Sequence, residues 1–266
     1  KVTIMKSLNI ASTGMLAQQL NVEVISNNIA NMNTTGFKRQ RAEFQDLLYQ
    51  SLERVGSNSS DAGTIVPSGV QVGSGVKTGS VYRIIEQGNV VSTGNPYDIA
   101  IQGRGYLRVQ QPSGEQSYTR AGSLAISAEG QLVTPEGFVV GPGISIPSEA
   151  TEITINKQGQ VQAKLPGQVE SQTVGQLELA IFFNEAGLEA KGNNLFNETP
   201  SSGAAQVSTP GALGYGTVLQ GFVETSNVNP VSEITSLITA QRAYEMNSKV
   251  ISASDEMLST TTNLRR

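Results

Sequence analysis

The chain has 266 residues, a formal net charge of −4 and 15% charged residues, against a usual quarter or so. It has no cysteine, histidine or tryptophan, which removes disulfides, thiolate and zinc-thiolate chemistry, the commonest general base and the commonest transition-metal ligand. The acidic balance lacks the basic face of a nucleic-acid-binding protein, no stretch approaches the roughly 18 apolar residues of a membrane span, and Ser, Thr, Asn, Gln, Gly and Ala fill a composition suited to a surface that meets other protein, or to a secreted β-protein.

Lys1-Val2-Thr3-Ile4-Met5-Lys6 leads into an amphipathic helix, not into an apolar stretch with a cleavage site, so a cytosolic protein or export by another signal is expected. Leu8, Met15, Val22 and Ile29 recur every seven residues, with Ala11, Gln18, Ile25 and Met32 as a second register. The spacing predicts a helix from about Ser7, a plausible N-cap, to about Asn33, with Gly36 as its stop. At about 1.5 Å per residue it would be roughly 40 Å long. Its outer positions carry amides and hydroxyls where a solvent-facing coiled coil carries charges, which suggests burial among like helices.

Gln40 to Leu52 reads as a second short helix, with Phe44, Leu47 and Leu48 on one face; Gly56 to Gly75 reads as extended or loop. From about Lys77 the period becomes two. Short strands are predicted at 98–101, 106–109, 123–126, 131–133, 138–140, 151–155, 160–162 and 177–183, separated by turns at 112–114, 128–130 and 157–159. Ser201 to Gly216 is a small-residue connection. Asn229-Pro230 offers an N-cap and an N1 proline, and Glu233 complements the helix dipole. The helix that follows, towards Leu264, repeats Leu237, Tyr244, Ile251 and Leu258, flanked by Ala243, Val250 and Met257.

A seven-residue apolar repeat builds a seam that faces another helix. With seams at both ends and a β-rich middle, the expected fold is α+β: paired N- and C-terminal coiled-coil helices plus a central antiparallel β-domain. The expected divisions are a helical core of 1–36 with 228–266, a connecting extended or β segment of 37–76 with 216–227, and an outer β-domain of 77–215. The heptads fit a plain intramolecular pair. They also fit a pair that packs against copies of itself, being too thin to hide its apolar surface.

Gly73-Ser74-Gly75-Val76-Lys77-Thr78 superficially matches a phosphate loop but has Val76 where a glycine must precede the lysine, and no helix follows. Gly103-Arg104-Gly105 lies between strands and reads as a turn. A Ser-His-Asp triad is impossible without histidine. A two-carboxylate glycosidase site stays open, since any two of 22 acids could meet in space. No catalytic residue, cofactor or metal is assigned.

Ser26-Asn27-Asn28-Ile29-Ala30-Asn31-Met32-Asn33-Thr34-Thr35-Gly36-Phe37-Lys38 resembles the N-terminal signature of the bacterial flagellar rod and hook family. Glu224–Asn229 and Gln241–Lys249 resemble its C-terminal signature. The resemblance continues through Arg39–Tyr49 and Pro67–Gly73, which look most like the distal-rod members. Family members usually begin near Met5, so Lys1–Ile4 precede the usual start.

The resemblance implies a structural subunit of the distal rod, a rigid helical tube crossing the periplasm towards the outer membrane and carrying torque from motor to hook. It implies a helical homo-polymer, proximal-rod and hook subunits as axial neighbours, surrounding peptidoglycan and outer-membrane ring proteins, and passage through the flagellar type III export apparatus. No nucleic acid and no catalysis are involved. A hook or proximal-rod subunit is the rival within the family, and a periplasmic glycan hydrolase the remote one outside it.

The assembly residues are then Leu8, Met15, Val22, Ile25, Ile29 and Phe37, with Leu237, Tyr244, Ile251 and Leu258, as apolar contacts. Asn27, Asn28 and Asn31 would pair between helices without the desolvation cost of charges. Ala30 allows close approach, Gly36 releases the helix, and Gln241, Arg242 and Glu245 offer polar pairing. The stretch Tyr49–Gly69, anchored by Leu52, Val55, Ile65, Val66 and Pro67, is expected to set rigidity by docking onto adjacent subunits.

Overall fold

The computed structural model describes residues 2–52, 69–168 and 170–263. Val55, Ile65, Val66 and Pro67 lie outside them. The chain divides into two compact units. The first joins Lys1–Ile29, Gln40–Tyr82 and Pro230–Arg266; the second joins Ala30–Arg39 and Arg83–Asn229.

The first unit holds two α-helices among the described residues, α1 (Val2–Ala30) and α2 (Pro230–Asn263). Helix α1 begins before the expected Ser7, which lies within it. It also stops short of Asn33: the Thr34 N–H donates to Asn31 O and the Phe37 N–H to Thr34 O, turning the chain out. Gly36 takes φ +70° there, with the Arg120 and Ala121 backbone 2.8 Å from where a Cβ would sit, a conformation and a space that only glycine fits. Helix α2 starts at Pro230, whose missing N–H is one of the orphans of a first turn.

Contacts between described residues of the two helices fix how they run. Ser7 Oγ lies 3.3 Å from Ser254 Oγ, a Cβ on Gly14 would meet the Asn247 side chain at 3.0 Å, and Asn28 Nδ2 donates to Glu233 Oε2 at 3.1 Å. Each seven-residue step forward in α1 is matched by a step of seven back in α2, so the two run antiparallel at these contacts. In α2 the buried positions are Glu233, Ala240 and Ser254. Meanwhile Val231, Ile234, Ile238, Met246, Val250 and Met257 are 46–75% exposed. Small and polar residues face inward, and much of the apolar surface faces out.

The expected short helix at Gln40–Leu52 is corrected. Gln40–Asp46 is a strand beside Val76–Arg83, and Tyr49–Ser51 pairs with Gln71–Gly73 in the register Tyr49↔Gly73. Gln40, Ala42 and Phe44 are the more protected positions, alternating with exposed Arg41, Glu43 and Gln45. Phe44 thus follows a period of two and not the helical period that grouped it with Leu47 and Leu48.

The second unit is antiparallel β. A nine-stranded sheet runs from Glu189–Gly192 through Leu195–Asn197, Gln116–Thr119 and Tyr106–Gln110 to Val139–Val140, Leu132–Val133 and Ala125–Ile126, with Leu179–Ile181 and Gln206–Ser208 branching from Tyr106–Gln110. Glu152–Ile155, Gln160–Lys164 and Gln172–Gln176 form a three-stranded sheet; Ile99–Gln102 pairs with Thr217–Gln220, and Val90–Ser92 with Phe222–Glu224. One core gathers Ile99, Ile101, Leu107, Leu132, Val140, Val161, Leu177, Leu179 and Val218. A smaller one gathers Tyr106, Tyr118, Phe182 and Leu188. The Tyr118 and Phe182 rings meet edge-on with centroids 4.8 Å apart, a favoured aromatic geometry.

Candidate functional site

Within each unit, one polar cluster draws the N-terminal and C-terminal signatures together. In the first unit the centre is Asn28, 1% exposed. Its Nδ2 donates to Gln40 O at 2.8 Å and to Glu233 Oε2, while its Oδ1 accepts from the Gln40 N–H at 2.8 Å. Both amide hydrogens and the oxygen are used, so burial leaves nothing unsatisfied. One side chain ties the end of α1 to the strand Gln40–Asp46 and to the first turn of α2. Glu233, which the sequence suggested only as a dipole partner, is its acceptor.

In the second unit the centre is Glu224, whose side chain is 0% exposed. Lys38 Nζ donates to its Oε1 at 2.6 Å and Arg120 Nε to its Oε2 at 2.5 Å. The Gly88 N–H adds a third donor at 2.8 Å. Arg120 also reaches Gly103 O at 2.7 Å and Gly105 O at 3.0 Å. Asn227 completes the cluster, accepting from the Arg39 N–H at 2.7 Å and donating to Ile84 O at 2.9 Å and Glu86 O at 3.0 Å. Two buried cations face one carboxylate. Burial pushes the Lys38 ammonium below the usual lysine range and the Arg120 charge adds to this, against the pull of Glu224.

Gly88 shows how tight this packing is, since a Cβ there would lie 1.9 Å from Thr225 O. Gly88→Ala must displace backbone, and overpacking of this kind is expected to lower the second unit's melting temperature by about 4–10 °C. Calorimetry checks this; an unchanged melt would mean the strand Phe222–Glu224 can move away freely.

The other assembly residues spread around these clusters. On α1, Ile25 is buried, Leu8, Met15, Val22 and Ile29 are half-buried, and Asn27 and Ala30 are exposed. Asn31 Oδ1 accepts from the Thr34 hydroxyl at 3.1 Å, and Phe37 is half-buried beside it in sequence. On α2, Leu237, Ile251 and Leu258 are half-buried, whereas Gln241, Arg242 and Glu245 are exposed. Tyr244 is 39% exposed and Leu52 60%. Sequence reasoning had no role for Arg120, Ala240 or Ser254, and none specific to Lys38, Glu224 or Asn227.

The buried acids are all engaged by protein donors. Glu185 takes Arg104 Nε at 3.1 Å and the Tyr106 hydroxyl at 3.1 Å. Asp98 takes the Thr93 hydroxyl at 2.6 Å and Asn95 Nδ2 at 3.0 Å. Glu224 and Glu233 are held as described.

Known families match three stretches of the chain. Residues 8–38 match the flagella basal body rod protein family, residues 100–163 the D1 domain of the flagellar hook protein FlgE/F/G, and residues 219–264 the C-terminal part of the flagellar basal body rod FlgEFG protein. The chain is 64% identical over 261 residues to the flagellar basal-body rod protein FlgG of Caulobacter vibrioides, covering 98% of this chain and 100% of that one. It is 52% identical to FlgG of Agrobacterium fabrum, over 96% and 97% of the two chains. The flagellar hook-basal body complex protein FlhP of Bacillus subtilis is 31% identical over 98% of this chain and 100% of its own. This chain belongs to the family of flagellar basal-body rod proteins.

Proposed function

We propose that the chain is a structural subunit of the flagellar distal rod, polymerising into a straight helical tube that carries torque from motor to hook. The observation that carries the reading is full-length identity of 64% to a basal-body rod protein. The outward apolar residues of α2 support it, because such a surface needs cover from other copies. In the tube, α1 and α2 pair as an antiparallel coiled coil lining the inside, with the β-domain outside. The divisions that serve this are a core of 1–36 with 228–266, a connector of 37–76 with 216–227, and an outer part of 77–215. Proximal-rod and hook subunits are the axial neighbours, ring proteins surround the tube as it crosses the periplasm, and the subunit leaves the cell through the flagellar type III apparatus. Leu8, Met15, Val22, Ile25, Ile29, Leu237, Tyr244, Ile251 and Leu258 supply apolar contacts, with Asn27, Asn31, Gln241, Arg242 and Glu245 as polar ones.

Electron microscopy of polymers from the purified full chain tests this. Straight, unbranched tubes are expected. Curved, bendable tubes would favour the hook reading, and digestion of peptidoglycan by the monomer would favour the hydrolase.

Before assembly the helices have a seam poor in apolar burial, and isolated helices are marginal in water. Limited proteolysis of the monomer is expected to trim both ends and slow near residues 30 and 229, where the second unit begins and ends. Protease-resistant ends at monomeric concentration would show a self-sufficient helix pair.

The segment Tyr49–Gly69 sets rigidity by docking onto adjacent subunits. Tyr49 and Leu52 in it, and Leu48 and Val70 at its borders, are 47–87% exposed, and a two-stranded ribbon is marginal alone. Deleting Gln50–Ser68 is expected to leave tubes that form but bend. Straight tubes from the deletion variant, seen by the same microscopy, would overturn this role.

A further inference from the structure

We infer that Lys38 is a latch residue, a surplus buried cation that ties the strap after α1 to the strand before α2 and so stiffens the joint from which both helices leave. This rests on the rod-subunit reading and adds residues and a mechanism to it.

The argument begins from charge. Arg120 alone balances the Glu224 carboxylate, so Lys38 brings a second buried cation to one anion. Burial and the neighbouring Arg120 disfavour the ammonium there, against Glu224 and Glu185, which favour it. Buried ions that contribute little to stability can still specify one arrangement of the chain.

Hydrogen bonding points the same way, because each partner of Lys38 has another donor. Glu224 Oε1 keeps the Gly88 N–H and Oε2 keeps Arg120. Glu86 O, which accepts from Lys38 Nζ at 2.8 Å, keeps Asn227 Nδ2 at 3.0 Å. Removing the ammonium therefore leaves no buried group stranded, and the second unit does not need it to satisfy its polar atoms.

What Lys38 adds is a charged side-chain tie across the joint, beside the neutral one that Asn227 makes with the Arg39 N–H. Its own backbone lies in the strap Ala30–Arg39, which runs on from α1. Glu224 lies in the strand Phe222–Glu224, a few residues before Pro230. The Gly36 N–H donates to Glu224 O at 2.8 Å on one side of Lys38, and the Arg39 N–H to Asn227 on the other. With the ammonium in place, strap and strand are joined by side chain and backbone together. Load entering through one helix is then shared with the chain leading to the other. Without it, the Gly36 and Arg39 N–H bonds to Glu224 O and Asn227 Oδ1 still hold the strap but open locally more easily.

The test uses Lys38→Met and Lys38→Arg in the full chain, with three readouts. Lys38→Met is expected to leave the second unit's melting temperature within about 3 °C of the parent, because a balanced Arg120–Glu224 pair remains. Amide exchange at Gly36 and Arg39 is expected to speed up at least about tenfold, as local opening becomes easier. Polymers of Lys38→Met should form but bend, and Lys38→Arg should restore straight ones. A melt lowered as far as that of Glu224→Gln would make Lys38 a plain stabilising residue and overturn the latch. Unchanged exchange or straight Lys38→Met polymers would overturn it too. A parent chain that forms no straight polymer would instead remove the rod reading on which the latch rests.

Discussion

Glu224→Gln is expected to lower the melting temperature of the second unit by about 6–20 °C. The carboxylate is 0% exposed and holds Lys38 and Arg120, themselves 2% and 3% exposed in their side chains. The neutral amide would leave two cations facing each other out of water. It would also turn its own N–H₂ towards groups that only donate and cannot accept a hydrogen bond. Removing one partner of a buried ion pair costs about 3–5 kcal/mol, and about 2–4 °C follows each kcal/mol in a domain of this size. The double variant Glu224→Gln/Lys38→Met is expected to recover part of the loss, because only one uncompensated cation remains. Additive effects of the two substitutions would mean that the groups do not interact. Calorimetry suits the measurement, since the chain has no tryptophan to report by fluorescence.

Two elements show where the architecture was legible. Helix α2 starts at Pro230 as its N-cap and N1 proline imply, and the strand Tyr106–Gln110 lies over the predicted 106–109. Legibility fails where polar residues are buried on specific partners. The strand Gln116–Thr119 is assigned to no element from the sequence, and its Ser117, Tyr118 and Thr119 are buried. Ser117 Oγ lies 2.7 Å from Asn197 Oδ1 and the Thr119 hydroxyl donates to Asn194 O at 2.8 Å. Both partners lie some 75–80 residues away, beyond any local pattern.

The same reason hid the clusters. Arg120 and Glu224 sit in no apolar repeat, and their meaning arises only when Ile99–Gln102, Thr217–Gln220 and Phe222–Glu224 bring their loops together. In α2 hydropathy marks a different set of positions from those buried within the single chain. It singled out Val250 and Met257 beside the Leu237 register, yet both are about half exposed. Glu233, Ala240 and Ser254 are buried in their place. Polar residues at every seventh position carry no hydrophobic signal; only the opposing Asn28, Gly14 and Ser7 make them a seam.

That seam sets up the second large effect, at Ala240. Ala240 is 2% exposed, and the seven-residue steps between the contacts bring it level with Asn21. Aspartate there would place an unpaired charge where the helices lie close, at a cost of about 3–5 kcal/mol. Since about 1.4 kcal/mol is tenfold in an equilibrium, the concentration needed for polymerisation should rise by at least about a hundredfold, while the second unit melts as before. Ile251→Asp should also block polymerisation, but through the half-buried register beside the seam. A chain without cysteine allows the two to be told apart. Ser7→Cys with Ser254→Cys, placed where the two hydroxyls lie 3.3 Å apart, should cross-link in parent polymers. In helix-stabilising conditions at monomeric concentration, Ala240→Asp is expected to abolish that cross-link and Ile251→Asp to retain it in part. The opposite order would place the Ile251 register between α1 and α2 and the small, polar positions outside.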